Sequence, residues 1–196
     1  MEEFDFNNLA IRIYGCPVLK KKASPVEKID GKLKLFGDKL LKFMMKYDGV
    51  GLAAPQMGGG VRMIALSVPR PDPSKLNRPL SPGEELLGGK MPASIINPEI
   101  LFFSEEKGER EDGCLSVPGI FANVERPAKI IFRGLVNYEE DITVECAGLL
   151  ARAIQHEIDH LDGILFVDRL DKKSFSKIKK KLELLKKEAV KNDFIR

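Results

Sequence analysis

The only two histidines of this 196-residue chain stand four residues apart, His156 and His160, in the run HEIDH. On an α-helix, positions i and i+4 share a face, so both imidazoles can reach one metal ion. Glu157 projects about 100° around such a helix from His156 and lies three residues from His160. It can flank the metal without ligating it, which is what a general base for water requires. Leu149 and Ala153 precede the pair on the same face, so the histidines are expected to point inward.

A catalytic site of this kind holds its metal through three protein ligands and keeps one position open. Spacing leaves the third ligand undecided. Gly163 suits the extended pattern of some metalloproteases, but Phe166 stands where their third histidine would be. Glu183 and Glu188 lie in a lysine-rich tail. Cys146 is ten residues before His156, about 15 Å along a helix axis. Cys16 adjoins Pro17 in an N-terminal arm, and Cys114 sits in EDGCLSVPG beside an Asp-Gly turn. On spacing alone Cys114 is only the best of three. A further segment, GVGLAAPQ (49–56), has glycines that permit close backbone approach, and no GK[ST] follows to make it a phosphate loop. Its one polar side chain, Gln56, must be paired or kept for a ligand if buried, and an amide can donate to a developing oxyanion.

The elements that must carry these residues can be read coarsely. Apolar residues at spacings of three and four predict a helix over 27–47, stopped by Gly49. Residues 11–26 read as a short strand or extended arm broken by Pro17 and Pro25. Strands are predicted over 61–67, 94–103, 128–133 and 140–146. The Pro- and Gly-rich stretch 69–93 reads as a long loop. The HEIDH run falls in a predicted helix over 148–162, ended by Gly163. The last helix, about 174–190, carries a stripe of Phe175, Ile178, Leu182, Leu185 and Ala189 among lysines. Strands in the middle with helices before and after them predict an α+β fold.

Composition sets outer limits. With 43% hydrophobic and 31% charged residues the chain is not wholly disordered. No run of 18 apolar residues exists to span a membrane. Three widely spaced cysteines are no disulfide framework. The acidic start MEEFDFNN resembles neither a signal nor a transit peptide. These features predict a cytoplasmic, bacterial protein with no membrane and no DNA partner. Net charge is +3, yet residues 171–196 hold ten basic and four acidic residues. That basic tail fits either a solvated amphipathic helix or attraction to a polyanion such as RNA.

Taken in order, GVGLAAPQ (49–56), DGCLS (112–116) and QHEIDH (155–160) resemble peptide deformylase, and PVLKKKASPV (17–26) and INPEI (96–100) agree. The resemblance runs from about Tyr14 to Leu170. It implies mixed or antiparallel sheets packed around a central metal-binding HExxH helix, with an N-terminal helix and a C-terminal amphipathic helix. It implies a catalytic domain over 1–170 and a basic helical extension over 171–196. The implied ligands are Cys114, His156 and His160, with Glu157 as catalytic acid/base. Gln56 and the Leu115 N–H would form the oxyanion hole, and Gly51 would offer backbone contacts to substrate. Arg126 would pair with Asp159. The implied substrate is an N-formylmethionyl nascent peptide, whose methionine side chain Gly49, Val50, Leu149 and Ala153 would wall. The implied cofactor is one divalent ion, Fe(II) in the cell, with Zn(II), Ni(II) or Co(II) as other fits. The basic tail resembles the branch whose terminal helix docks on the ribosome.

The chain departs from the family pattern in three places. Asp112 replaces the usual Glu, Phe121 replaces a basic residue of some members, and loop 69–93 is longer than in compact ones. Two other readings compete: an endopeptidase using HExxH chemistry, and a non-catalytic RNA- or ribosome-binding protein with a structural metal.

Overall fold

Asp30 starts the first long helix, α1 (Gly31–Lys46), by accepting a hydrogen bond from the Leu33 N–H at 2.9 Å. The helix thus begins four residues later than its apolar spacing predicts. The structure, a computed structural model, describes residues 10–192 and 194–195, with side chains through residue 188. The MEEFDFNN start lies outside the described residues, as does the Ala189 side chain.

Five antiparallel strands form the main sheet: β2 (Gly51–Ala53), β3 (Met63–Leu66), β4 (Ala93–Phe103), β7 (Lys129–Val136) and β8 (Glu140–Ala147), in that spatial order. Two short pairs accompany it. β5 (Lys107–Asp112) and β6 (Ala122–Pro127) form an antiparallel arm, and β1 (Ile11–Arg12) pairs with β9 (Phe194–Ile195).

The pleat of β3 shows how the layers are built. Successive side chains point to opposite faces. Ile64 and Leu66 join Ile95, Ile130 and Phe132 against Leu150, Ile154 and Leu161 of α3 (Gly148–Leu161). Met63 and Ala65 join Ile96 against Phe36, Leu40 and Met44 of α1. The sheet is therefore covered on both faces, which explains why β3 reads as the unbroken apolar run MIAL. Each fully buried side chain of this size contributes about 1.5–3 kcal/mol. In α4 (Lys172–Asn192), Phe175, Ile178, Leu182 and Leu185 dock on a third cluster with Leu19, Val117, Val124 and Phe166.

Several expectations need correction. Stretch 69–93 is not all loop: it holds a 3-10 turn (Pro73–Lys75) and a short helix, α2 (Pro82–Gly88). Ser81 and Glu84 cap α2 reciprocally, and Arg78 holds both Glu84 oxygens at 2.7 and 2.8 Å. The Ser81 hydroxyl also accepts from the Ala147 N–H at 3.2 Å, tying α2 to the start of α3. The N-terminal arm is strand only at Ile11–Arg12 and continues into a 3-10 turn (Pro17–Lys20). Strands β2, β5 and β6 were not expected. β5 is exposed at five of six positions, so it has no apolar alternation to announce it.

Candidate metal centre

α3 follows β8 without a linker because Gly148 adopts a left-handed φ of +59°. The turn aims α3 back across the sheet and sets its HEIDH face toward the segment just beyond β5. Cys114 Sγ, one imidazole nitrogen of His156 and one of His160 all lie within 4.8 Å of one another. Cys114 Sγ is 3.2 Å from His160 Nε2. Two thiolate-compatible donors also face the sulfur: the Ser116 N–H at 3.3 Å and Gln56 Nε2 at 3.4 Å. One sulfur and two imidazoles suit a tetrahedral divalent ion with its fourth position open. The structure does not bring the other two cysteines to this cluster. Cys146 is core, and its burial pushes the thiol up to about 12, with the nearby carboxylates of Glu84 and Glu145 adding to the effect.

The histidines are tuned differently. His156 Nδ1 lies 3.5 Å from Asp112 Oδ2. Burial alone would lower its proton affinity, but the contacts with Asp112 and Cys114 win and raise it to about 10. A carboxylate behind a ligating imidazole fixes its orientation and increases its basicity. His160 is 1% exposed, and burial holds its pKa well below the usual value, aided by the charges of His156 and Arg126. It is a neutral imidazole at pH 7, the form that binds metal.

Glu157 is 3% exposed, and its Oε2 has no partner among the described residues. Burial pushes its carboxyl up to about 7, against the opposing charges of His156 and Arg126. A carboxyl with that affinity can both take and return a proton near neutrality. Gly51 makes room for it: a Cβ there would lie 2.3 Å from Glu157 Oε1. Gln56 sits in a buried 3-10 turn (Ala54–Met57). Its Oε1 accepts from the Ala53 N–H at 2.8 Å, and its Nε2 donates to Ser116 Oγ at 3.1 Å. That leaves the longer contact with sulfur as the hydrogen that a substrate oxygen can claim. The Leu115 N–H has no acceptor among the described residues.

Behind these groups runs a buried charge network that sequence reasoning caught only in part. Arg126, 2% exposed, donates to Asp159 at 2.8 Å, as expected, and also to Asp112 Oδ2 at 3.0 and 3.1 Å. Arg152 adds a 2.7 Å bond to Asp112 Oδ1, and Arg169 grips Asp159 from the other side. Burial favours the neutral form of Asp112, but His156, Arg126 and Arg152 outweigh it and hold its carboxyl far below the ordinary range. Arg152 and Arg169 carried no motif signal. An Arg four residues before His156 on the same helix was the available hint.

Cys114, His156 and Glu157 line a cleft of about 590 Å³ whose walls include Gly49, Val50, Leu149 and Ala153. Phe121, 59% exposed, stands at the same cleft, and Phe166 is buried and stacks on His156 at 6.4 Å.

A model of the polypeptide deformylase family matches residues 8–176. This chain belongs to that family. It is 41% identical over 161 residues to the peptide deformylase of Natranaerobius thermophilus, covering 82% of this chain and 91% of the relative. It is 38% identical over 172 residues to that of Thermotoga maritima, covering 88% and 93%. A plant peptide deformylase crystal structure superposes with a TM-score of 0.80 at 32% identity, covering 98% of this chain and 96% of that one. The Thermotoga maritima structure gives 0.67 at 39% identity, covering 83% and 97%. The chain is thus an enzyme, a hydrolase of a metal-dependent family that removes N-formyl groups from nascent peptides. No described helix is long and apolar enough to cross a membrane.

Proposed function

We propose that this chain hydrolyses the formamide of N-formylmethionine at the start of new polypeptides, releasing formate and a free amine. The observation that carries the reading is the convergence of Cys114, His156 and His160 beside a buried, unpaired Glu157 oxygen in one apolar-walled cleft.

Cys114, His156 and His160 would hold the ion, Fe(II) in the cell, with Zn(II), Ni(II) or Co(II) able to replace it. When bound, the ion supplies Lewis acidity and lowers the pKa of water toward neutrality. Glu157 takes the proton from the attacking water at its free Oε2 and later returns it to the leaving nitrogen. As the formyl carbon becomes tetrahedral, Gln56 Nε2 and the Leu115 N–H donate to its oxygen, each well-placed donor contributing about 3–4 kcal/mol. β2 is an edge strand of the sheet, so Gly51 can pair with the backbone of an extended peptide. Leu149 and Ala153 then face the methionine side chain, with Gly49 and Val50 opposite.

The catalytic unit in this reading ends near residue 170, and 171–196 is an extension whose lysine face docks on the ribosome in a bacterial cytoplasm. Exchanging the exposed Lys177, Lys179, Lys180 and Lys181 for glutamate, which keeps the docked apolar face of α4, should abolish ribosome co-sedimentation and spare hydrolysis. The deciding experiment for the reaction is formate release from formyl-Met-Ala by protein purified without oxygen and loaded with Fe(II) or Ni(II). Release that disappears in Glu157→Ala supports the reading. No release from folded, metal-loaded protein overturns it.

A further inference from the structure

The outward face of α1 carries charge of one sign. Its 16 residues include five lysines and a single acid, Asp38. In the rest of the chain before residue 171, acidic residues outnumber basic ones, so this face opposes the charge of the body around it. Lys32, Lys39, Lys42 and Lys46 follow at helical spacing and form one stripe about 21 Å long. Lys32, Lys42 and Lys46 are exposed and have no carboxylate in ion-pair reach among the described residues. Elsewhere on the body, Lys20, Lys75, Lys90 and Lys107 each hold one. Lys46 lies instead over the rings of Tyr47 at 5.2 Å and Phe43 at 5.8 Å. The opposite face of α1, with Leu33, Phe36, Leu40 and Met44, is spent on the sheet. Leu35 and Met45 are its only exposed large apolar side chains, too few to sink the helix into a bilayer. Beyond Lys46 the chain passes directly into residues 47–51, which line the catalytic cleft.

We propose that α1 is an RNA-docking face, separate from the basic tail, whose Lys32, Lys42 and Lys46 take the phosphodiester backbone. The choice of polyanion rests on the reaction proposed above: new polypeptides are made on RNA, and a docking helix that runs into the cleft sets that RNA beside the entering substrate. A duplex strand presents a phosphate about every 3.4 Å of its axis, so the stripe meets several at once. Lysines meet phosphates as point charges and read no base. Docking through α1 is therefore independent of sequence and weakens steeply with salt as released counterions become more costly to displace.

The test titrates the full-length, metal-loaded protein into a fluorescein-labelled RNA hairpin of about 20 base pairs, longer than the stripe, at about 50–200 mM salt, and reads anisotropy. Combining Lys32→Gln, Lys42→Gln and Lys46→Gln should weaken binding at least about tenfold and flatten the slope of log affinity against log salt by about 2–3. Glutamine suits a helix as well as lysine does, so melting temperature and formyl-Met-Ala turnover should not change. The comparison variant, Lys75→Gln with Lys90→Gln and Lys107→Gln, removes the same net charge from lysines that already hold carboxylates and should bind within about twofold of wild type. Equal weakening by both variants would reduce the effect to net charge. Complete loss on reversing Lys177, Lys179, Lys180 and Lys181 alone would give it to α4. Tighter capture by phosphatidylglycerol vesicles than by the hairpin would give the face to a membrane. Any of these results overturns the proposal, as does a wild-type protein that does not bind the hairpin. Formate release is read separately, so the failure of the reaction and the failure of the docking face are told apart.

Discussion

Replacing Gly51 with alanine tests the link between backbone and catalysis most directly. Gly51 lies in regular strand backbone, so its conformation does not demand glycine; the space beside it does. An added Cβ would lie 2.3, 2.7 and 2.8 Å from Glu157 Oε1, Cδ and Cγ. To restore ordinary contact, the carboxyl must move by about 1 Å. A 1 Å misplacement of a catalytic group costs about 100-fold, or about 2.7 kcal/mol of barrier. Strand alanine is better than glycine by about 0.5–1 kcal/mol, so folding should survive. The expected result is therefore a kcat about 100-fold lower on formyl-Met-Ala, with metal content and melting temperature close to wild type. Gly60→Ala is the control, because a Cβ there meets nothing within 4 Å. A Gly51→Ala enzyme within threefold of wild-type kcat would refute the reasoning, since Glu157 would then tolerate displacement or not carry the proton.

Other consequences can be checked as readily. Asp112→Asn removes the charge behind His156 Nδ1 and should weaken metal affinity by about 10–100-fold, read by competition with a chromogenic chelator; unchanged affinity would make the contact incidental. Because burial pushes the Cys146 thiol up to about 12, iodoacetamide at pH 8 should spare it in the native protein. Cys114 should be alkylated after metal removal and protected by metal, as peptide mapping would reveal. Burial works against the Glu84 carboxylate, but Arg78 and Ser81 overcome it and lower its pKa below the ordinary value. A depressed folded pKa gives stability that is present above the unfolded value near 4.5 and lost as pH falls. Glu84→Gln should thus cost roughly 1–3 kcal/mol at pH 7, and the gap to wild type should narrow steadily toward pH 3 in urea titrations. A gap independent of pH would mean that packing, not charge, holds α2.

Sequence reasoning worked where one physical signal dominated. The three-and-four spacing in α1 and α3 and the apolar runs of β3, β4, β7 and β8 located most of the sheet and both covering helices. The HEIDH spacing located two of the clustered side chains, while Cys114 came only through the resemblance. It failed where tertiary partners supply what the local sequence lacks. β5 is nearly all charged and pairs through its backbone with β6, so nothing in KGERED marks a strand. β2 is three residues long inside a glycine-rich segment. α2 hid among prolines and glycines, although Ser81 and Glu84 carried a capping signature in plain view. The Arg126–Asp112–Arg152 network joins residues up to 40 apart, a separation that no local pattern encodes.

The open edge of β2 has a consequence beyond catalysis. An uncovered strand edge invites the edge of any other chain, and long flat ones seed aggregation. Here the strand is three residues long, Gly51 to Ala53, and most of its edge is covered: Leu52 and Ala53 are buried, the Ala53 N–H is held by Gln56 Oε1 at 2.8 Å, and a proline-bearing turn follows at once. It is too short to template a second copy of the protein into a growing sheet. Yet hydrogen bonds to peptide groups ignore side-chain identity, so in the proposed reading Gly51 would receive the start of almost any polypeptide. Brevity would then let this surface be indiscriminate toward peptides without becoming adhesive toward itself.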